Sequence, residues 1–188
     1  MSSIKKENSK AHRLRGFTIV ELLIVIVVIA ILAAISIVTY NDVQTRARDT
    51  ARSDTAAKIM RALESYKAIK GVYPPTNASP SPPCQNGYSC SLATNGTWLK
   101  GLADEGFMNN SLQDPINDVD HQFVYIRPSA GQYSCDPSFG GFYVLQILGY
   151  ENTANVPKST YSADRRCPTA PWTSFPGASR ATYYGWEN

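Results

Sequence analysis

The chain has 188 residues and a formal net charge of +3 at pH 7, a length that suits one ordinary domain with an anchoring segment and leaves too little for two domains. The first 16 residues contain five lysines and arginines and one glutamate, whereas residues 17–188 contain 13 basic and 14 acidic residues. A nucleic-acid-binding surface beyond the leader would require a clustered basic patch, so the charge distribution argues against one.

A long apolar run follows this basic leader. Residues 22–35 are fourteen consecutive apolar residues, and the run extends over 17–38 with three polar interruptions, Thr18, Glu21 and Ser36. A helix rises about 1.5 Å per residue, so this run predicts a segment that crosses a bilayer core. Because the basic residues precede it, the positive-inside rule predicts a cytoplasmic N-terminus and an external chain from Tyr40 onward.

Glu21 is an ionisable residue near the start of this predicted span, where such residues are costly and tend to be functional and paired. Glu21 lies in the string RGFTIVELL at residues 15–23. Residues 15–35 resemble the processing motif of type IV pilins and pseudopilins, with a basic leader ending in Gly, then Phe, and Glu at the fifth place. The resemblance implies that a prepilin peptidase cuts after Gly16 and that the new terminal Phe17 is N-methylated. It also implies that Glu21 pairs with the Phe17 amine of an adjacent subunit in a filament.

The resemblance implies a division of the chain into four parts: a cleaved basic leader (1–16), a hydrophobic transmembrane or filament-core helix (17–40), an amphipathic continuation of it (41–71) and an extracellular pilin domain (72–188). The implied partners are other subunits of a homo- or hetero-polymeric filament, the prepilin peptidase, a pilus assembly platform, and the membrane before assembly. Nucleic acid would enter only through a role in DNA uptake.

The helix is predicted to continue to residue 70. Residues 41–70 contain no Pro or Gly and carry one apolar stripe at three- and four-residue steps, and Gly71 with Pro74-Pro75 ends the pattern. We interpret the charged residues on the other faces as a solvated surface: Asp42, Arg46, Arg48, Asp49, Arg52 and Asp54. One departure from the family is that many members carry Pro near the outer end of the apolar run, where this chain has Ile37-Val38.

All four cysteines lie after the apolar run, as in an exported chain with two disulfides: Cys84, Cys90, Cys135 and Cys167. Three pairings are possible. We prefer Cys84–Cys90 with Cys135–Cys167, because the first pair closes a short loop inside the Pro-rich segment 74–97. The alternatives are buried free thiols and a metal site. No Cys-x-x-Cys pair or nearby His supports a zinc site.

Strand signals follow in the second half of the chain. Residues 121–126 and 141–148 predict two strands, residues 132–135 a weaker third, and residues 98–102 a short helical turn. The resulting fold class is α+β, with a small antiparallel sheet packed on the outer half of the long helix and disulfide-bonded loops beside it. The tail 150–188 is aromatic but poorly periodic, which favours a loop that packs its rings on the domain; an exposed adhesive surface is the alternative.

The order of elements from Asp114 onward is also similar to the C-terminal part of major pseudopilins, some of which bind calcium near this sheet. We expect no cofactor, although calcium is an alternative. The candidate oxygen donors are Asp114, Asp118, Asp120 and Asp136, which as ordinary turn residues would need no metal.

The residues show no catalytic constellation, since His121 is the only histidine outside the leader, and we expect no enzyme. The sequence predicts a major or minor pilin serving adhesion, motility or DNA uptake. The alternatives are a pseudopilin of a type II secretion-like system, and an anchored or secreted binding module that never polymerises. A small-x-small site at residues 34–36 keeps simple secretion open.

Overall fold

A computed structural model describes residues 17–77, 88–92, 98–109, 112–157, 167 and 179–188. In chain order the elements are helix α1 (Ile19–Lys70), strand β1 (Ser89–Cys90), helix α2 (Lys100–Asp104) and strands β2 (Phe123–Ile126), β3 (Phe142–Ile147) and β4 (Ala181–Trp186). Short 3-10 helices occupy Gln132–Ser134, Pro137–Phe139 and Thr153–Asn155. The α+β fold class predicted from the sequence is confirmed. The structure divides after Asp42 into two compact units, and the second unit, Val43–Asn188, is called the outer unit.

The outer part of α1, from Val43 onward, forms one wall of the core of the second unit. Its buried apolar residues follow the helical repeat: Ala56, Ile59, Ala62 and Leu63. The helix ends where expected, because Gly71 has a φ of +78°, a conformation that a residue without Cβ adopts at little cost.

The four strands form one antiparallel sheet in the order β1-β2-β3-β4. Strand β3 is central and its six residues are all buried, because both faces of the sheet are covered. Alternate residues of β3, such as Leu145 and Ile147, pack in the same cluster as Ile59 and Leu63 of α1. Phe142 and Val144 belong to the other set of alternate residues of β3 and pack on the opposite face, beside Cys135 and Cys167.

Several predicted elements have different bounds. Strands β2 and β3 are shorter than the strands predicted at 121–126 and 141–148. The helical turn predicted at 98–102 corresponds to α2 at Lys100–Asp104. The strand predicted at 132–135 is wrong: Tyr133 and Ser134 have φ of 58° and 59°, so the backbone turns there and cannot extend. Two strands were missed, β1 inside the predicted loop 74–97 and β4 inside the predicted irregular tail.

Candidate functional site

Thr18 and Glu21 cap the start of α1. The Glu21 carboxylate accepts hydrogen bonds from the backbone N–H and the hydroxyl of Thr18, each at 2.8 Å. In return, Thr18 Oγ1 accepts a bond from the backbone N–H of Glu21 at 3.2 Å. Because the helix begins at Ile19, this is the reciprocal arrangement of a capping box. The carboxylate therefore already has hydrogen-bond partners at the start of its own helix.

The apolar residues at the start of α1 are uncovered. Every described side chain from 17 to 37 is exposed in this chain, including Phe17 at 88% and Ile19 at 84%. The most apolar 18-residue window of the helix has a mean hydropathy of 3.3, so α1 is long and apolar enough to span a membrane. A continuous apolar surface of this kind requires lipid or another protein against it.

The predicted cleavage point lies at the edge of what the structure describes. Phe17 and Glu21 belong to the described residues, whereas Gly16 and the rest of the leader lie outside them. No contact in this chain tests cleavage after Gly16, methylation of Phe17 or intersubunit pairing of Glu21, so these remain predictions.

A buried ion network lies on the outer part of α1, with Arg52 at its centre. Arg52 is 0% exposed; its Nε donates to Asp114 Oδ2 at 2.7 Å and its Nη2 to Asp114 Oδ1 at 3.2 Å. Its Nη1 donates to Asp49 Oδ1 at 2.8 Å and to Glu151 Oε1 at 3.2 Å. A guanidinium removed from water in this way needs several charged acceptors to offset its lost hydration.

Asp49 is the second anchor of this network. Its carboxylate accepts bonds from the backbone N–H groups of Glu151 and Asn152 at 3.0 and 3.1 Å, and from Asn155 Nδ2 at 2.9 Å. Burial alone would raise the pKa of Asp49. The hydrogen bonds from Asn155, from the loop backbone and from Arg52 outweigh burial, and the pKa lies below its usual value. The loop that follows Tyr150 is thereby docked on α1.

The interpretation of these helix charges as a solvated face is wrong for Asp49 and Arg52, which are 1% and 0% exposed. Two loops carrying Asp114 and Glu151 fold over that face and supply complementary charges. Glu151 also accepts two bonds from Arg48, one of them at 2.5 Å from Nε. Chiefly through the Arg48 bonds, the pKa of Glu151 is lowered.

Three of the four aspartates considered as calcium ligands accept hydrogen bonds within the protein. Asp114 binds Arg52 and the backbone N–H of Ile116, Asp118 binds the backbone and ring of His121, and Asp136 caps the turn at Ser138. Asp120 donates its backbone N–H to Asp118. Among the described residues, no three acidic, histidine or cysteine side chains converge as a metal site would require.

The structure contains the disulfide Cys135–Cys167, the second bond of the preferred pairing. Cys90 is also disulfide-bonded, while Cys84, its predicted partner, lies outside the described residues. The Cys135–Cys167 bond is buried on the outer face of the sheet, beside Phe142. It ties the loop between β2 and β3 to the segment that precedes β4.

The aromatic residues of the tail have more than one role. Tyr183 is buried in the core shared with α1, whereas Tyr184 and Trp186 of β4 are half-buried on the other face. Trp172 and Phe175 lie outside the described residues, so the choice between packed loop and adhesive surface stays open for them.

Sequence reasoning missed the partnership of Thr18 with Glu21 and the ion network at Arg52. The first had a local signal, because Thr-x-x-Glu directly before an apolar run is the capping-box pattern. The second had a local signal only in the three-residue spacing of Asp49 and Arg52. Asp114 and Glu151 are far from Arg52 in sequence, and only the fold brings them together.

The chain carries a prokaryotic N-terminal methylation motif, matched over residues 12–37. This confirms the resemblance inferred from residues 15–35 and places the capped start of α1 inside the motif. The chain is also similar to the fimbrial protein EcpC of Eikenella corrodens, at 40% identity over 65 residues, which are 35% of this chain and 42% of that protein. The match thus spans less than half the length of that curated relative. No solved structure matches the chain.

Proposed function

We propose that this chain is a structural subunit of a type IV pilus-like filament, cut after Gly16 and polymerised through the helix that starts at Phe17. One observation carries the proposal: the methylation motif at residues 12–37 coincides with a helical segment whose described side chains from 17 to 37 are all exposed and almost all apolar. Before assembly the membrane covers this surface, and in the filament neighbouring copies of the helix replace the lipid.

The leader and Glu21 have complementary roles in this account. Removal of residues 1–16 takes away a strongly basic segment and leaves one new amine at Phe17. A carboxylate enclosed among apolar helices is unfavourable unless a cation faces it. Pairing of Glu21 with the Phe17 amine of a neighbour satisfies both groups and favours one axial register, as a single buried polar residue does in a coiled coil.

The capping box offers a way to test this pairing. Glu21→Ala removes both the local cap on Thr18 and the negative charge. Glu21→Gln removes the charge but keeps a side chain that can serve in a capping box. If the charge pairs with a neighbouring amine, both variants lose filaments when processing is intact, as measured by shearing and electron microscopy of cells expressing equal amounts of protein.

The outcome for glutamine decides between the two roles. Assembly of Glu21→Gln at the wild-type level, with loss only in Glu21→Ala, would assign Glu21 to helix capping and remove the intersubunit pair. Ser36→Ala is a matched control in the same apolar segment, because among the described residues the Ser36 hydroxyl bonds only back to the Leu32 carbonyl, at 2.8 Å. We expect this variant to assemble normally.

The finer role follows from the same framework. A prepilin peptidase and an assembly platform are the partners required for processing and extrusion, and the outer unit would be displayed at the cell surface or in the periplasm. The proposed functions of the filament are adhesion, motility or DNA uptake. Abundance of this chain in purified filaments would make it a major subunit, and trace amounts a minor one.

A further inference from the structure

A polar pocket of about 380 Å³ opens on the outer unit. One of its lining residues, Tyr150, contacts α1 through a 3.0 Å hydrogen bond between its hydroxyl and that of Ser53. It lies between the turn before β2, the turn after β3 and the residues that lead into β4. The groups that matter for binding are Asp120, His121, Leu148, Gly149, Ser179 and Arg180. Its volume is near the lower end of the range for small-molecule sites, so the ligand it suits is small.

The His121 ring is fixed in this pocket. Its Nδ1 lies 2.7 Å from Asp118 Oδ1, which places the proton on Nδ1 and leaves Nε2 as an acceptor in the neutral ring. The ring packs against Gly149, where a Cβ would meet the imidazole. Within the described part of the chain, Nε2 makes no hydrogen bond.

Two further groups at the pocket have unused hydrogen-bonding capacity. The Asp120 carboxylate accepts no bond from the described residues, since only its backbone N–H is engaged, with Asp118. The Ser179 hydroxyl likewise makes none within those residues, while its carbonyl accepts from the Tyr150 backbone at 2.9 Å and so fixes the main chain. The pocket therefore combines two acceptors, the fixed His121 Nε2 and the Asp120 carboxylate, with a hydroxyl, the Arg180 guanidinium and Leu148 as an apolar surface.

We propose that this pocket binds one uncharged sugar residue at the end of a glycan. A sugar ring presents several hydroxyls, which donate to a carboxylate and an imidazole and accept from a guanidinium, and an apolar face that packs on an aliphatic side chain. An anion such as phosphate suits the pocket less well, because the carboxylates of Asp118 and Asp120 stand beside it. The pocket would encounter a glycan outside the cell only if the proposed surface display is correct. Binding itself does not depend on polymerisation.

The test uses the full chain in a detergent without a sugar headgroup. Methyl glycosides of galactose, glucose, mannose and N-acetylglucosamine are titrated one at a time by saturation-transfer NMR. At least one should bind, and Asp120→Asn should weaken it by about tenfold or more, because a bond to an ionised acceptor is lost. Ser179→Ala should weaken it by several-fold.

Asp104→Asn is the matched control, an exposed aspartate of α2 that pairs with Lys100 far from the pocket in the chain. It should bind the same glycoside as wild type does. The proposal is overturned if no methyl glycoside binds, if only inorganic phosphate or sulfate binds, or if Asp120→Asn and Ser179→Ala bind like the control. Because this assay needs no filament, its failure is distinct from failure of the Glu21 assembly test.

Discussion

Replacing Arg52 with methionine should strongly destabilise the outer unit. Methionine fills much of the same space but leaves Asp114 and Asp49, which are 5% and 1% exposed, without their shared cation. Removing one partner of a buried ion pair costs about 3–5 kcal/mol, because the remaining charge is buried and uncompensated. Asp49 keeps its bonds from the loop backbone and Asn155, which places the expected loss toward the lower half of that range.

This loss is large compared with the free energy of unfolding of an ordinary domain, about 5–15 kcal/mol. Urea unfolding of the full chain in detergent measures it, with tryptophan fluorescence as the probe. Of the three tryptophans, Trp98 is 3% exposed in the core. At a typical slope of about 2 kcal/mol per M the midpoint should fall by roughly 1.5–2 M. Lys58→Met on the exposed side of α1 is the matched control and should change stability by less than about 0.5 kcal/mol. A loss below about 1 kcal/mol for Arg52→Met would refute the view that the network docks the loops.

Three other perturbations test the same unit. Asp49 and Glu151 have lowered pKa values, so their contribution to folding stability is complete above their unfolded-state pKa, near 4. That contribution is lost as the pH falls through the folded-state pKa values. The urea midpoint should therefore fall at pH values below about 4, and an unchanged midpoint from pH 6 to 3 would contradict this. Gly185→Ala should destabilise by about 1–3 kcal/mol, because the added Cβ would lie 2.6 Å from the Tyr73 hydroxyl; a thermal melt within 1 °C of wild type would count against it. Cys135→Ala opens a disulfide with a sequence separation of 32, which should cost about 3–4 kcal/mol in chemical unfolding, and an unchanged midpoint would be inconsistent with that loop constraint.

The helix was predictable because its signals are local. The apolar run, the absence of Pro and Gly, and the stop at Gly71 all act within a few residues, and α1 runs from Ile19 to Lys70 as expected. The two central strands were found for the same reason, since each is a compact run of β-branched and aromatic residues. The methylation motif is also local, because it lies within residues 12–37 and can be recognised without the fold.

The missed features depend on distant partners. β4 contains Gly185, which as an isolated glycine argues against a strand, yet its missing side chain makes room for Tyr73, Tyr143 and Glu64. Asp49 and Arg52 follow the spacing of a solvated helix face, and their burial results from loops that close over them. The turn at Tyr133 looked like a strand because tyrosine is common in strands, but Tyr133 and Ser134 both have positive φ and turn the chain.

The central claim is that the chain is processed as a prepilin and anchored in a filament by its N-terminal helix. The most direct test is the N-terminal mass of the mature protein isolated from its native host. The account predicts a chain that begins at Phe17 with one added methyl group. A chain that begins at Met1, or near Ile37 after conventional signal cleavage, would contradict the account and make the outer unit an anchored or secreted domain that does not polymerise.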